Sequence, residues 1–122
     1  MLRELRLNNL AIIKKVDLEF NNGLIALTGE TGAGKSILLD GISLLIGERS
    51  SVDMIRTGAD NLFAEGVFSL TQDQIEKLTK LGFEIEDEEL IVARYLDKNL
   101  KSKITVNGMR ITVSKLKELM SN

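Results

Sequence analysis

The chain has 122 residues, a net charge of −2, and 43% hydrophobic and 28% charged residues, the make-up of one globular domain with a single modest core. It contains no cysteine and no histidine. That excludes disulfide scaffolds, thiolate metal sites and imidazole catalysis, and removes the commonest transition-metal ligand. No apolar run approaches the roughly 20 residues needed to cross a bilayer, and the N-terminus lacks the charged-then-apolar layout of a signal peptide, so a cytoplasmic protein without a membrane partner is expected.

In chain order, Leu5 and Leu7 alternate with Glu4, Arg6 and Asn8 as in a half-buried strand, which Asn8-Asn9 is expected to punctuate. Ile13, Val16, Leu18 and Phe20 mark a second strand, and Asn21-Asn22-Gly23 turns into the apolar run 24–28, which reads as a buried strand. Residues 37–46 are apolar almost all round, as in a helix sunk in a core, with Gly47 as its stop. Residues 48–61 have the composition of a loop containing Arg49 and Arg56, followed by a short strand at about 64–70. Thr71-Gln72-Asp73-Gln74 is a capping box opening a helix with Ile75, Leu78 and Leu81 on one face and Gly82 at its end. Leu90 to Leu96 is another strand; Ile104–Val106 and Arg110–Val113 form a hairpin around Asn107-Gly108; and Ser114 is expected to cap a last helix bearing Leu116, Leu119 and Met120.

Charge is unevenly placed along these elements. Residues 1–58 balance seven basic against seven acidic, 59–93 carry nine acidic and two basic, and 94–122 carry seven basic and two acidic. The cluster Glu84, Glu86, Asp87, Glu88 and Glu89 reads as a solvated face. The basic end, with Lys98, Lys101, Lys103 and Arg110, suits either a phosphate-contacting surface or solvated strand faces.

The segment with chemistry is Gly29-Glu30-Thr31-Gly32-Ala33-Gly34-Lys35-Ser36. It fits G-x-x-x-x-G-K-[ST] at every fixed position, and it lies between a strand pattern and a helix pattern as that motif requires. Glycines at 29, 32 and 34 let the backbone approach a ligand with no Cβ in the way. Amides from Gly32 to Ser36 then form an anion cradle at the positive end of the helix. Lys35 is expected on the β- and γ-phosphates and the Ser36 hydroxyl on Mg²⁺. The segment predicts binding of a nucleoside triphosphate.

The rest of a hydrolytic site is not found. A P-loop enzyme needs a second acidic residue at the end of a buried strand. Asp97 is the late candidate, but Arg94 interrupts its run and a hairpin follows at once. The base-reading N-K-x-D of GTPases is absent, and only Arg49 and Arg56 suggest the arginine-bearing lid of a small kinase.

GETGAGKS at 29–36, running into ILLDGISLLIGERSS and then DMIRTGA at 53–59, resembles the N-terminal end of the RecN family of bacterial DNA-repair proteins, as do Asn8–Ile12 and the hairpin at Ile104–Gly108. The resemblance covers essentially the whole chain. It implies an SMC-type ABC ATPase, whose head is split into two lobes at opposite ends of the chain and joined by a coiled coil. In that family the N-terminal lobe supplies the phosphate loop, and the C-terminal lobe supplies the signature motif, the Walker B aspartate and the catalytic glutamate. Two heads sandwich two ATP molecules, and the assembly acts on DNA at double-strand breaks. By resemblance Arg56 matches a loop arginine near nucleotide or DNA, and Asn9 and Ala11 lie in a segment near base or ribose.

The expectation is therefore an α/β P-loop head of ABC/SMC type: residues 1–122 form its N-terminal lobe, a mixed sheet with an antiparallel edge layer and a central P-loop helix. The chain is read as a fragment without a catalytic residue of its own. Its expected cofactors are ATP and Mg²⁺, held by Gly29, Glu30, Thr31, Gly32, Ala33, Gly34, Lys35, Ser36 and Arg56. Its implied partners are the C-terminal lobe, a second head in a homodimer, and DNA, with a cytoplasmic, nucleoid-associated location. A self-contained small P-loop kinase and an interaction module with a vestigial loop are the alternatives.

Overall fold

The computed structural model describes residues 1–20, 32–99 and 101–121, with the backbone alone for 32–37. In chain order these form β1 (Leu2–Leu10), β2 (Ile13–Glu19), α1 (Gly32–Leu45), a 3-10 turn at Val52–Met54, β3 (Asn61–Ser69), α2 (Gln72–Lys80), β4 (Glu89–Asp97), β5 (Ser102–Val106), β6 (Met109–Ile111) and α3 (Val113–Met120). The strands make one sheet in the order β2-β1-β3-β4-β5-β6. Every pair among the described strands is antiparallel. The predicted strand at 24–28, which would make the sheet mixed, lies outside the described residues.

Alternation decides which face is buried. Leu5, Gly66, Val92 and Val106 are successive cross-strand partners, and so are Leu7, Ala64, Arg94 and Ile104. Partners in an antiparallel sheet share a face, and all of these are buried. The opposite face is largely polar. There Arg6 reaches Glu65 at 2.8 Å, Glu4 at 3.0 Å and Asp17 at 3.9 Å. The hydrogen bond to Glu65, and then the charge of Glu4, raise the Arg6 guanidinium above its ordinary value, with desolvation opposing.

α1 lies across the buried face, against β1, β3 and β4. The approach is close because each side leaves a notch for the other. A Cβ at Gly41 of the helix would stand 2.6 Å from Cδ2 of Leu7, and one at Gly66 of β3 would stand 2.6 Å from Cδ1 of Leu45. Gly47 stops the helix as expected: its φ of +98° suits glycine, and a side chain there would meet the α3 backbone at Lys117.

Several boundaries differ from expectation. Asn8-Asn9 does not end β1, because Asn9 takes a left-handed φ of +58° inside the strand and pairing runs on to Leu10 opposite Ile13. The last helix is capped by Thr112, not Ser114; Thr112 is extended and its hydroxyl accepts from the Lys115 amide at 3.1 Å. The box at the start of α2 is present in both directions, with Thr71 Oγ1 accepting from the Gln74 amide at 3.3 Å and Gln74 Oε1 accepting from the Thr71 amide at 2.9 Å. Of the predicted α2 face Leu78 is buried, whereas Leu81, at the C-terminal cap, is 53% exposed. The hairpin at Asn107-Gly108 has φ of +49° and +83°, as a two-residue turn of the primed type requires. No helix among the described residues is long and apolar enough to cross a membrane.

Candidate nucleotide-binding site

Of the motif, Gly29, Glu30 and Thr31 lie outside the described residues. Gly32, Ala33, Gly34, Lys35 and Ser36 form the first residues of α1. The first four amides of an α-helix have no intrahelical acceptor, so the backbone donors expected to face phosphate stand at the positive end of the helix dipole. The first turn carries no acidic side chain to compete with an anion. In donor chemistry and charge, the residues present fit a triphosphate.

The structure brings Arg56 to Asn9 and Ala11, more than 40 positions earlier in the chain. The loop after α1 folds back on the tip of the β1–β2 hairpin: the Arg56 amide donates to the Asn9 carbonyl at 2.8 Å, and the Ala11 amide donates to the Met54 carbonyl at 2.7 Å. The left-handed φ of Asn9 and of Ala11 (+53°) turns these backbone groups outward from the hairpin. Leu10 and Ile55 are bridged between them and buried. Arg56 is thus carried by an ordered turn, capped by the Ser51 hydroxyl accepting from the Asp53 amide, and its side chain is half-buried.

Asp97 serves the chain itself. Its carboxylate accepts from the amides of Asn99 at 2.8 Å and Lys101 at 3.0 Å and closes the β4–β5 turn. Among the described residues no group of three acidic side chains is arranged to hold a metal.

Arg94 does not interrupt β4. It sits in mid-strand with its side chain inward, only 2% exposed, and is the one buried charged residue among those described. Its guanidinium donates to the carbonyls of Leu44, at 2.9 Å, and Glu48, around the end of α1. Burial lowers its pKa from the ordinary value, but an arginine so placed still carries its charge. The signal was in the sequence: Leu90, Val92 and Leu96 set a period of two that puts position 94 on the buried face, where a cation needs acceptors.

α1 was expected to be buried all round. Its sheet-facing side is, at Gly41, Leu44 and Leu45, but Leu39 is 48% and Ile46 37% exposed on the other side. Among the described residues that side of the apolar helix is left open.

The AAA domain family matches residues 4–122. The DNA repair protein RecN of Bacillus subtilis is 40% identical over 121 residues, 98% of this chain and 21% of that protein. An SMC ATPase described for ATP-driven dimerization and DNA-stimulated activation superposes with a TM-score of 0.79 at 24% identity, over 98% of this chain and 77% of that one. The Smc head domain with coiled coil and joint from Pyrococcus yayanosii gives a TM-score of 0.77 at 26% identity, over 98% of this chain and 25% of that chain. The fold is that of an SMC-type P-loop ATPase head, and the chain spans about a fifth of the length of the curated relatives it matches.

Proposed function

The chain belongs to the AAA domain family, and on that premise we propose that it is the ATP-binding half of an SMC-like ATPase head acting in DNA double-strand break repair and recombination. One observation carries the reading: the GETGAGKS segment runs directly into the N-terminus of a helix seated on an antiparallel sheet, in a chain similar to RecN over 98% of its length. The backbone from Gly29 to Ser36 cradles the phosphates, Lys35 clamps their charge, and the Ser36 hydroxyl is a ligand of Mg²⁺. Bound there, Mg²⁺ offsets the negative charge of the β- and γ-phosphates. Arg56, on the turn bonded to the β1–β2 hairpin, contacts nucleotide or DNA from the edge of the site.

The groups needed for hydrolysis come from elsewhere. The exposed apolar side of α1 at Leu39 and Ile46 supports a second lobe packing over it, and the small share of the relatives' length represented here supports the same view. ATP held by this lobe is then completed by a partner head, and nucleotide joins two heads of a homodimer. DNA is a partner of that assembly.

The test is titration of the 122-residue chain with a fluorescent ATP analogue and Mg²⁺. Binding is expected, with loss on Lys35→Ala and no steady turnover by the chain alone. Equal signals from the unmodified chain and Lys35→Ala would refute the site, and sustained turnover would refute the half-head.

A further inference from the structure

We infer that Arg94 is a positioning residue for the nucleotide site, acting from the far end of the helix whose first turn receives the phosphates. The inference rests on the phosphate-loop reading above and extends it to a residue of β4.

The argument starts from what α1 lacks. A helix ends with carbonyls that have no intrahelical donor and with a partial negative charge, which glycine caps and nearby basic side chains meet. At the end of α1 the Gly47 amide bonds the Leu44 carbonyl and the Glu48 amide the Ser43 carbonyl, but backbone amides bring no cation. α1 has no basic residue there. Arg94 supplies the cation from the middle of the sheet, bonding the carbonyls of Leu44 and Glu48. No ion pair among the described residues includes Arg94, and its Nε has no hydrogen-bond partner. Replacing a buried ionic group by an apolar residue of similar size is often neutral for stability, so an effect of Arg94 on nucleotide affinity is separable from its effect on folding. Its use lies in where it holds the helix.

That hold is tight. Gly41 over Leu7 and Leu45 over Gly66 leave no room for α1 to slide along the sheet, and Gly47 fits its end against the α3 backbone. The 14 residues of α1 make a rod about 20 Å long. Fixing its C-terminal end therefore sets the place of the amides at its N-terminus. A charge acts on the helix dipole only within the nearest turn, so Arg94 affects the first turn through the position of the helix and not through its charge.

The experiment compares nucleotide affinity and stability in one set of variants. Arg94→Met, Arg94→Lys and Leu78→Ala are titrated with the fluorescent ATP analogue and Mg²⁺, and unfolded in urea. Leu78→Ala is a destabilised control in α2, away from α1. Arg94→Met is expected to weaken binding about tenfold while still folded, since misplacing a binding group by even 1 Å is costly; Arg94→Lys, which keeps the charge, recovers part of this, and Leu78→Ala leaves affinity unchanged. If Arg94→Met does not fold, Arg94→Lys decides, with an affinity loss that Leu78→Ala does not share. Affinities that follow stability alone across all three variants would overturn the inference and leave the phosphate loop standing. An unmodified chain that binds no nucleotide, like Lys35→Ala, would overturn both.

Discussion

Replacing Gly41 by alanine tests how closely α1 is fitted to the sheet. In an isolated helix the change is favourable by about 1 kcal/mol. Here the new methyl would stand 2.6 Å from Cδ2 and 2.8 Å from Cδ1 of Leu7, with Cγ at 3.3 Å, well inside the roughly 3.5–4.0 Å optimum for carbon contacts. Leu7 is fully buried in the row with Ala64 and Arg94, and close-packed interiors leave such a side chain little room to move aside. Overpacking of that kind costs about 1–3 kcal/mol, so the net expectation is a loss of about 0–2 kcal/mol where propensity alone predicts a gain. Leu7→Ala alone should cost about 2–5 kcal/mol. In the double variant the clash is gone and the alanine at 41 recovers its helical preference, so the two changes together should cost about 1–3 kcal/mol less than their sum. Urea unfolding of the two singles and the double measures this directly. A Gly41→Ala chain more stable by about 1 kcal/mol, with effects additive within about 0.5 kcal/mol, would refute the notch.

Two further outcomes follow from other contacts. Asn107 Oδ1 accepts from the Ile91 amide at 2.6 Å, and Nδ2 donates to the Glu84 carbonyl at 2.8 Å and the Glu89 carbonyl at 3.3 Å, from a backbone at φ +49°. Asn107→Ala should cost about 2–3 kcal/mol by thermal unfolding, and Asn107→Gly less, by the backbone share of about 1 kcal/mol; no loss on Asn107→Gly would mean that the side-chain bonds contribute nothing, and equal losses that the backbone share is nil. On the exposed side of α1, Leu39→Glu with Ile46→Glu should change the stability of the chain by no more than about 0.5 kcal/mol for each site. The same pair should abolish capture of a C-terminal head lobe supplied in trans, as read by co-elution, and undiminished co-elution would place that lobe elsewhere.

The candidate site was legible in part. The spacing of Gly29, Gly32, Gly34, Lys35 and Ser36 needs no tertiary knowledge, because a phosphate cradle is built from consecutive backbone groups. Arg56 could be named, but not its neighbours: nothing in the order of residues says that its amide bonds the Asn9 carbonyl or that Ala11 is tied to Met54. Arg94 was read as a flaw in a strand, because a charged residue in an apolar run gives no hint of the carbonyls that await it.

Local order determined the turn at Asn107-Gly108, the capping box at Thr71, the stop at Gly47 and the faces of the strands, since each depends on residues within a few positions of one another. Tertiary structure alone decided that β3 enters between β1 and β4, that α1 fits its glycine over Leu7, and that its end rests on Arg94. Periodicity states which side of a strand turns inward, but not what lies across from it. That choice belongs to the packing of surfaces separated by tens of residues along the chain.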